Sequence, residues 1–188
     1  HLVLAGGVAL NCVANGKLLK TGLFDDIWIQ PAAGDAGGSL GAALSVWHIT
    51  KNKERIISNN KDSMKSSLLG PSFNQKEIEK RLNKFSSKYI RIDDFNSICE
   101  KTADFLNQGL VVGWFQGNME FGPRALGNRS ILGDPRNPEM QKKLNLKIKF
   151  REGFRPFAPI ILEEKLNDFF DINQISPYML LVAPVVAS

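Results

Sequence analysis

A short apolar run, Leu2-Val3-Leu4-Ala5, leads straight into a glycine pair, Gly6-Gly7. From Asn11 to Leu19 apolar residues recur at helical spacing and stop at Thr21-Gly22. Ile27-Trp28-Ile29 reads as a second buried strand, Pro31 to Gly38 as a loop, and Gly38 to Thr50 as a close-packing helix of small residues. Strand, helix, strand, helix is the order of an α/β fold, since each apolar strand face needs a helix layer to cover it.

The chain's 188 residues hold one full domain, or one small domain and a piece of another. Three stretches differ in character. Residues 1–50 are apolar and rich in Gly and Ala, residues 51–72 are polar and read as a linker or exposed crossover, and residues 73–188 return to mixed α/β patterning. In the third stretch the pattern predicts helices over Gln75–Phe85, Ser97–Gln108, Asn137–Leu146 and Glu163–Phe170. Asn74 is the N-cap of the first of these, and Pro138 sits in the first turn of the third. It predicts strands over Tyr89–Ile92, Leu110–Phe115, Phe157–Leu162 and Met179–Ala183, with a long loop-rich segment after Phe115. The fold class is therefore α/β, with an α+β mixed sheet.

Hydrophobic content of 43% and charged content of 23% fit a globular protein. No apolar stretch approaches the roughly 20 residues of a membrane helix. The entry into a strand at His1 without a Met or lead-in gives the expectation of a piece of a longer protein, and no secretory leader pattern opens it. Cys12 and Cys99 make neither a disulfide framework nor a zinc signature. They read as buried reduced thiols of a cytoplasmic protein.

Two features of the first stretch carry possible chemistry. Gly6 and Gly7 let backbone approach a ligand closely, and the helix start behind them offers free N–H groups to phosphate or ribose. Asn11 and Asn15, four apart, can point at one ligand. The alternative is a tight turn with capping asparagines. Asp35 stands alone in Pro31-Ala32-Ala33-Gly34-Asp35-Ala36-Gly37-Gly38. It is either a ligand to a metal or a substrate hydroxyl, or a turn or N-cap aspartate.

The strongest signal runs from Gly113 to Pro159. Nine Lys and Arg stand there against four Asp and Glu, which equals the whole chain's net charge of +5. Arg124, Arg129, Arg151 and Arg155 lie in Gly-, Pro- and Phe-rich sequence rather than on a periodic polar helix face. Clustered, partly buried guanidinium groups are unfavourable without an anion among them, and phosphate matches their fork. A solvated basic loop is the alternative. Phe121, Phe150, Phe154 and Phe157 read as packing rather than stacking residues, so a compact phosphate pocket is expected here and a nucleic-acid surface is not.

LAGGVALNCVANGKLL, QPAAGDAGGSLGAAL, VVGWFQGNMEFGPRALGNRSIL and REGFRPFAPIIL closely resemble the NodU/CmcH-type O-carbamoyltransferases over most of the chain. The resemblance implies that residues 1–50 end an actin/Hsp70-type nucleotide- and metal-binding transferase domain. Residues 73–188 then belong to a YrdC-like domain that forms carbamoyl-adenylate from carbamoyl phosphate and ATP. It implies that Gly6, Gly7, Asn11 and Asn15 contact nucleotide and that Asp35 is a ligand to iron, Fe2+, whose histidine ligands lie upstream. It places Arg124, Arg129, Asn128, Ser130, Lys149, Arg151 and Arg155 in phosphate- and nucleotide-binding motifs, with Mg2+ assisting. The acceptor implied is a hydroxyl-bearing small molecule or sugar. Asn118 departs from the family, which usually carries a basic residue there. The transfer step is not expected of this piece alone. The rival expectation is a non-catalytic YrdC-like module binding RNA or nucleotide.

Overall fold

The computed structural model describes residues 1–57 and 62–186. Part of the expected 51–72 linker thus lies outside the described residues. The chain divides into two compact units, and neither is continuous in sequence. The first comprises His1–Gly70, Met119–Leu126 and Ile161–Ser188, and the second Pro71–Asn118 and Gly127–Ile160.

In the first unit, β1 (Leu2–Leu4) pairs in parallel with β2 (Ile27–Ile29), Val3 opposite Trp28. Between them, residues Gly7–Leu10 make one 3-10 turn and α1 spans Cys12–Lys20. The turn depends on Gly6, whose φ of 91° and ψ of 170° suit glycine alone. After β2 comes α2 (Asp35–Ser45), which begins three residues before the expected Gly38 and continues as a wider turn over Val46–Thr50. Ala9, Ile29, Ala33 and Leu180 form a small core, with Leu4, Leu10, Ile27, Tyr178 and Leu181 against it. Burying a residue such as Ile29 contributes about 2 kcal/mol. Asp62 fastens a neighbouring turn by accepting the amides of Met64 and Ser66 and the hydroxyl of Tyr178. Burial pushes the Asp62 carboxyl up, but these three donors outweigh it and hold it below its ordinary value.

The second unit holds α3 (Gln75–Lys84) and α4 (Phe95–Asn107), each capped by the residue before it. Asn74 and Glu77 form a capping box, and the Asp94 carboxylate accepts the Ser97 amide. β3 (Val112–Phe115) pairs antiparallel with β4 (Arg129–Leu132), Phe115 opposite Arg129. β4 falls inside the segment expected to be loop. α5 (Met140–Lys143) continues as a wider turn, Leu144–Lys149, and starts two residues after Pro138. Met140 and Leu144 are buried under Gly133. In the first unit, a 3-10 turn over Glu163–Lys165 precedes α6 (Leu166–Phe169).

The molecule is thus mixed α/β, with two two-stranded sheets and six α-helices among the described residues. Three expected strands do not form. Ile90 is 80% exposed and Ile160 75% exposed, so their segments have no sheet to cover them, and Met179 has a left-handed backbone. Only a single bridge, Phe170 to Val185, lies near the third. The thiols also differ from expectation: Cys12 is half-buried and Cys99 exposed. No helix among the described residues is long and apolar enough to cross a membrane.

Candidate functional site

A densely hydrogen-bonded basic turn in the second unit is built on Asn145. This side chain has no exposed surface. Its amide nitrogen donates to the carbonyls of Gly153 (3.2 Å) and Arg155 (2.8 Å), and its oxygen accepts from Arg151 Nε at 2.7 Å. Its own carbonyl accepts the Arg151 amide at 3.0 Å. Gln141 adds a donor to the Arg155 carbonyl at 3.1 Å. A buried amide with every group engaged fixes a loop firmly, because each lost partner would leave a desolvated polar atom.

The chain reversal that Asn145 imposes puts Phe150 in the left-handed region, φ 49° and ψ 53°. For a residue with a Cβ this costs about 1–2 kcal/mol. The turn then shows Lys147, Lys149 and Arg155 to solvent and keeps Arg151 half-buried, its guanidinium 4.8 Å from the Phe157 ring centre. Arg155 pairs with Glu152 at 2.8 Å. Glu152's own amide and the Arg155 guanidinium hold that carboxyl below the usual carboxylate range. Both partners are exposed, so the pair is weak and Arg155 can turn to a competing anion.

Arg129, Asn128 and Ser130 occupy another part of the same unit. Arg129 lies 3.5 Å over the Phe115 ring centre and donates to the carbonyls of Gln116 (2.7 Å), Gly117 (3.0 Å) and Asn128 (2.9 Å). Asn128 donates to the Asn118 carbonyl at 2.9 Å, and Ser130 Oγ accepts the Gly127 amide at 3.0 Å. These residues brace the ends of β3 and β4.

The first unit gathers the remaining candidates. The Gly6 amide donates to the Ala33 carbonyl at 2.6 Å, which ties the glycine turn to the loop before Asp35. Asn11 caps α1 by accepting the Ala14 amide at 3.1 Å. Asn15 is buried, and its amide donates to the carbonyls of Ala9 (2.8 Å) and Leu180 (3.0 Å), so the two asparagines serve different ends. Gly7 is exposed. Asp35 is the exposed first residue of α2, and its cap is Gly34. Arg124 also belongs to this unit. Its Nη2 donates to the Leu10 carbonyl at 3.2 Å, and its buried Nε has no partner among the described residues. Nearby, Glu120 is buried and accepts the Leu126 amide at 2.7 Å. A groove of about 520 Å³ beside Gly16, Lys20 and Asp171 contains none of these candidates.

The candidate residues thus fall into three sets: Lys149, Arg151 and Arg155 around Asn145, Arg129 with Asn128 and Ser130 at the hairpin, and Arg124 with the glycine turn. Sequence reasoning passed over Asn145 and Gln141, which look like ordinary polar positions in a helix. It also read Phe150 and Phe154 as packing residues, whereas they are 84% and 79% exposed. The signal for Phe150 was its place between two basic residues, Lys149 and Arg151.

Comparison with known proteins agrees in both units. The carbamoyltransferase N-terminus family matches residues 1–44, and the carbamoyltransferase C-terminus family matches residues 103–188. An uncharacterized protein of Synechocystis sp. is 59% identical over 98% of this chain, which covers 30% of that protein. The nodulation protein NolNO of Sinorhizobium fredii is 44% identical over 98% of the chain, covering 27% of its own length. NolO of Bradyrhizobium diazoefficiens is 48% identical over 92%, with 30% of its length covered. The chain therefore spans less than a third of these relatives.

Proposed function

Since this chain belongs to the carbamoyltransferase family, we propose that it serves ATP-dependent O-carbamoyl transfer, with adenylate formation at the basic turn of the second unit. The observation that carries this reading is the Asn145-held turn, which fixes the backbone of Gly153 and Arg155 and the guanidinium of Arg151, with Lys149 and Arg155 exposed on it. Water would first cleave the bond between the carbamoyl group and phosphate in carbamoyl phosphate, leaving carbamate and releasing inorganic phosphate. A carbamate oxygen then bonds to the α-phosphorus of ATP, and the bond to the bridging oxygen breaks. Pyrophosphate leaves with that electron pair, and carbamoyl-adenylate remains.

The carbamate is already ionised, so no general base is required. Catalysis reduces to positioning and to cations facing the charge that gathers on phosphate oxygens. Arg151 and Arg155 offer planar forks and Lys149 a mobile ammonium. Arg129 orients the hairpin through its carbonyl partners, with Asn128 and Ser130 beside it. Mg2+ bound with ATP would neutralise further phosphate charge.

In the transfer step the acceptor hydroxyl oxygen bonds to the carbamoyl carbon, the bond from that carbon to the adenylate oxygen breaks, AMP leaves with the electron pair, and the hydroxyl proton passes to solvent. The acceptor is proposed as a small molecule or sugar, and the setting as cytoplasmic. Residues 1–50 are assigned to the actin/Hsp70-type transferase domain and 73–188 to the YrdC-like domain, with Gly6, Gly7 and Asn11 supplying the nucleotide turn of the former and Asn15 serving its packing instead. Asp35 is proposed as one ligand to Fe2+. A lone carboxylate does not hold iron, and no three His, Cys, Asp or Glu side chains cluster among the described residues, so no step is routed through the metal.

The test is exchange of labelled pyrophosphate into ATP by the full chain. Exchange should require carbamoyl phosphate and fall at least about tenfold, or roughly 1.4 kcal/mol of barrier, in Arg155→Ala. The companion variant Arg124→Ala probes the guanidinium of the first unit. Undiminished exchange in Arg155→Ala would refute the assignment.

A further inference from the structure

We propose that Phe150 and Phe154 form a base-stacking platform on the basic turn, so that this turn selects a nucleotide over a bare polyphosphate. The inference rests on the reading above, in which the turn takes ATP, and it adds the residues that recognise the base. Phe150 is 84% exposed and Phe154 79% exposed, although phenylalanine gains most by burial. Other phenylalanines near the basic residues already have work: Phe157 lies under Arg151, and Phe115 under Arg129.

The exposure of Phe150 is imposed rather than accidental. Its left-handed backbone persists because Asn145 fixes Arg151, Gly153 and Arg155 around it. Strained backbone persists only where its surroundings hold it, and such positions cluster at functional sites. Along the sequence the turn carries Lys147, Lys149, Phe150, Arg151, Glu152, Phe154 and Arg155, and all of these but the half-buried Arg151 are exposed. Aromatic faces beside phosphate-binding cations are how proteins hold a base and its phosphates together. Every base has a π-face, so the platform favours nucleotides in general over phosphate chains and does not distinguish adenine from guanine.

Calorimetric titration of the full chain with ATP and with inorganic tripolyphosphate tests this. The wild-type chain should bind ATP at least about tenfold more tightly than tripolyphosphate. The double variant Phe150→Ala/Phe154→Ala should lose that preference and keep its tripolyphosphate affinity. Arg155→Ala should weaken both ligands together. Should the alanine variant melt early, Phe150→Leu/Phe154→Leu keeps apolar bulk without the ring face and must lose the preference as well. An ATP preference that survives in the leucine variant overturns the inference. So does a wild-type chain with no preference, or a platform whose loss weakens oligouridylate binding and leaves ATP untouched. Pyrophosphate exchange reads the adenylate reaction separately: its absence beside a Phe-dependent ATP preference would sink the reaction and leave the platform standing.

Discussion

Asn15 in the first unit and Asn145 in the second are both buried, and both turn their amides on backbone carbonyls. Asn15 joins Ala9 to Leu180, stitching together the small core of its unit. Asn145 joins Gly153 and Arg155 and also grips Arg151, closing a turn whose outer surface is cationic and aromatic. The same side-chain chemistry therefore does two jobs. Where the carbonyls belong to core-lining segments, the amide serves packing. Where they belong to a turn rich in Arg, Lys and Phe, it prepares a surface for an anion. Burial of a polar residue does not by itself mark a functional site; what it holds in place does.

The largest expected effect separates these roles. Asn145→Ala should cost about 3 kcal/mol, since the Gly153 carbonyl and the Arg151 guanidinium lose a partner, the Arg155 carbonyl keeps only Gln141, and a fully buried side chain is truncated. It should also weaken ATP binding at least tenfold by calorimetry. Asn15→Ala should cost about 2 kcal/mol by urea denaturation and leave ATP binding to the basic turn unchanged. Equal loss of ATP binding in both variants would show that the two asparagines do not differ in role.

A smaller effect sharpens the packing side. Gly16 lies against Val182, and a Cβ placed there would sit 2.6 Å from the Val182 carbonyl oxygen. Gly16→Ala should therefore destabilise by about 1 kcal/mol in urea, even though alanine favours helix by a similar amount. A stabilised variant would show that α1 does not approach the 182 segment so closely.

Much of this architecture was readable in advance. β1, α1 and β2 follow from apolar runs punctuated by glycine, and α3 from a stripe with its Asn74 cap. The segments of Ile90, Ile160 and Met179 were misread because local β-propensity says nothing about whether a neighbouring strand exists. Helix α2 begins at Asp35 rather than Gly38 because glycine and alanine leave no period to follow. At the site, the cations were visible as a charge concentration, yet the division of Arg124 from Arg151 and Arg155 was not. Arg124 follows its own loop to the Leu10 carbonyl, and spacing along a chain carries no such information. Asn145 was hidden because a buried, fully bonded asparagine looks like any polar residue until its partners are known.

The most direct test of the central claim, that the basic turn receives nucleotide, is photolabelling of the full chain with 2-azido-ATP, followed by mass-spectrometric mapping. Label is expected within residues 144–157, suppressed by excess ATP and not by excess inorganic phosphate. Labelled protein with no ATP-protected label in that stretch would contradict it.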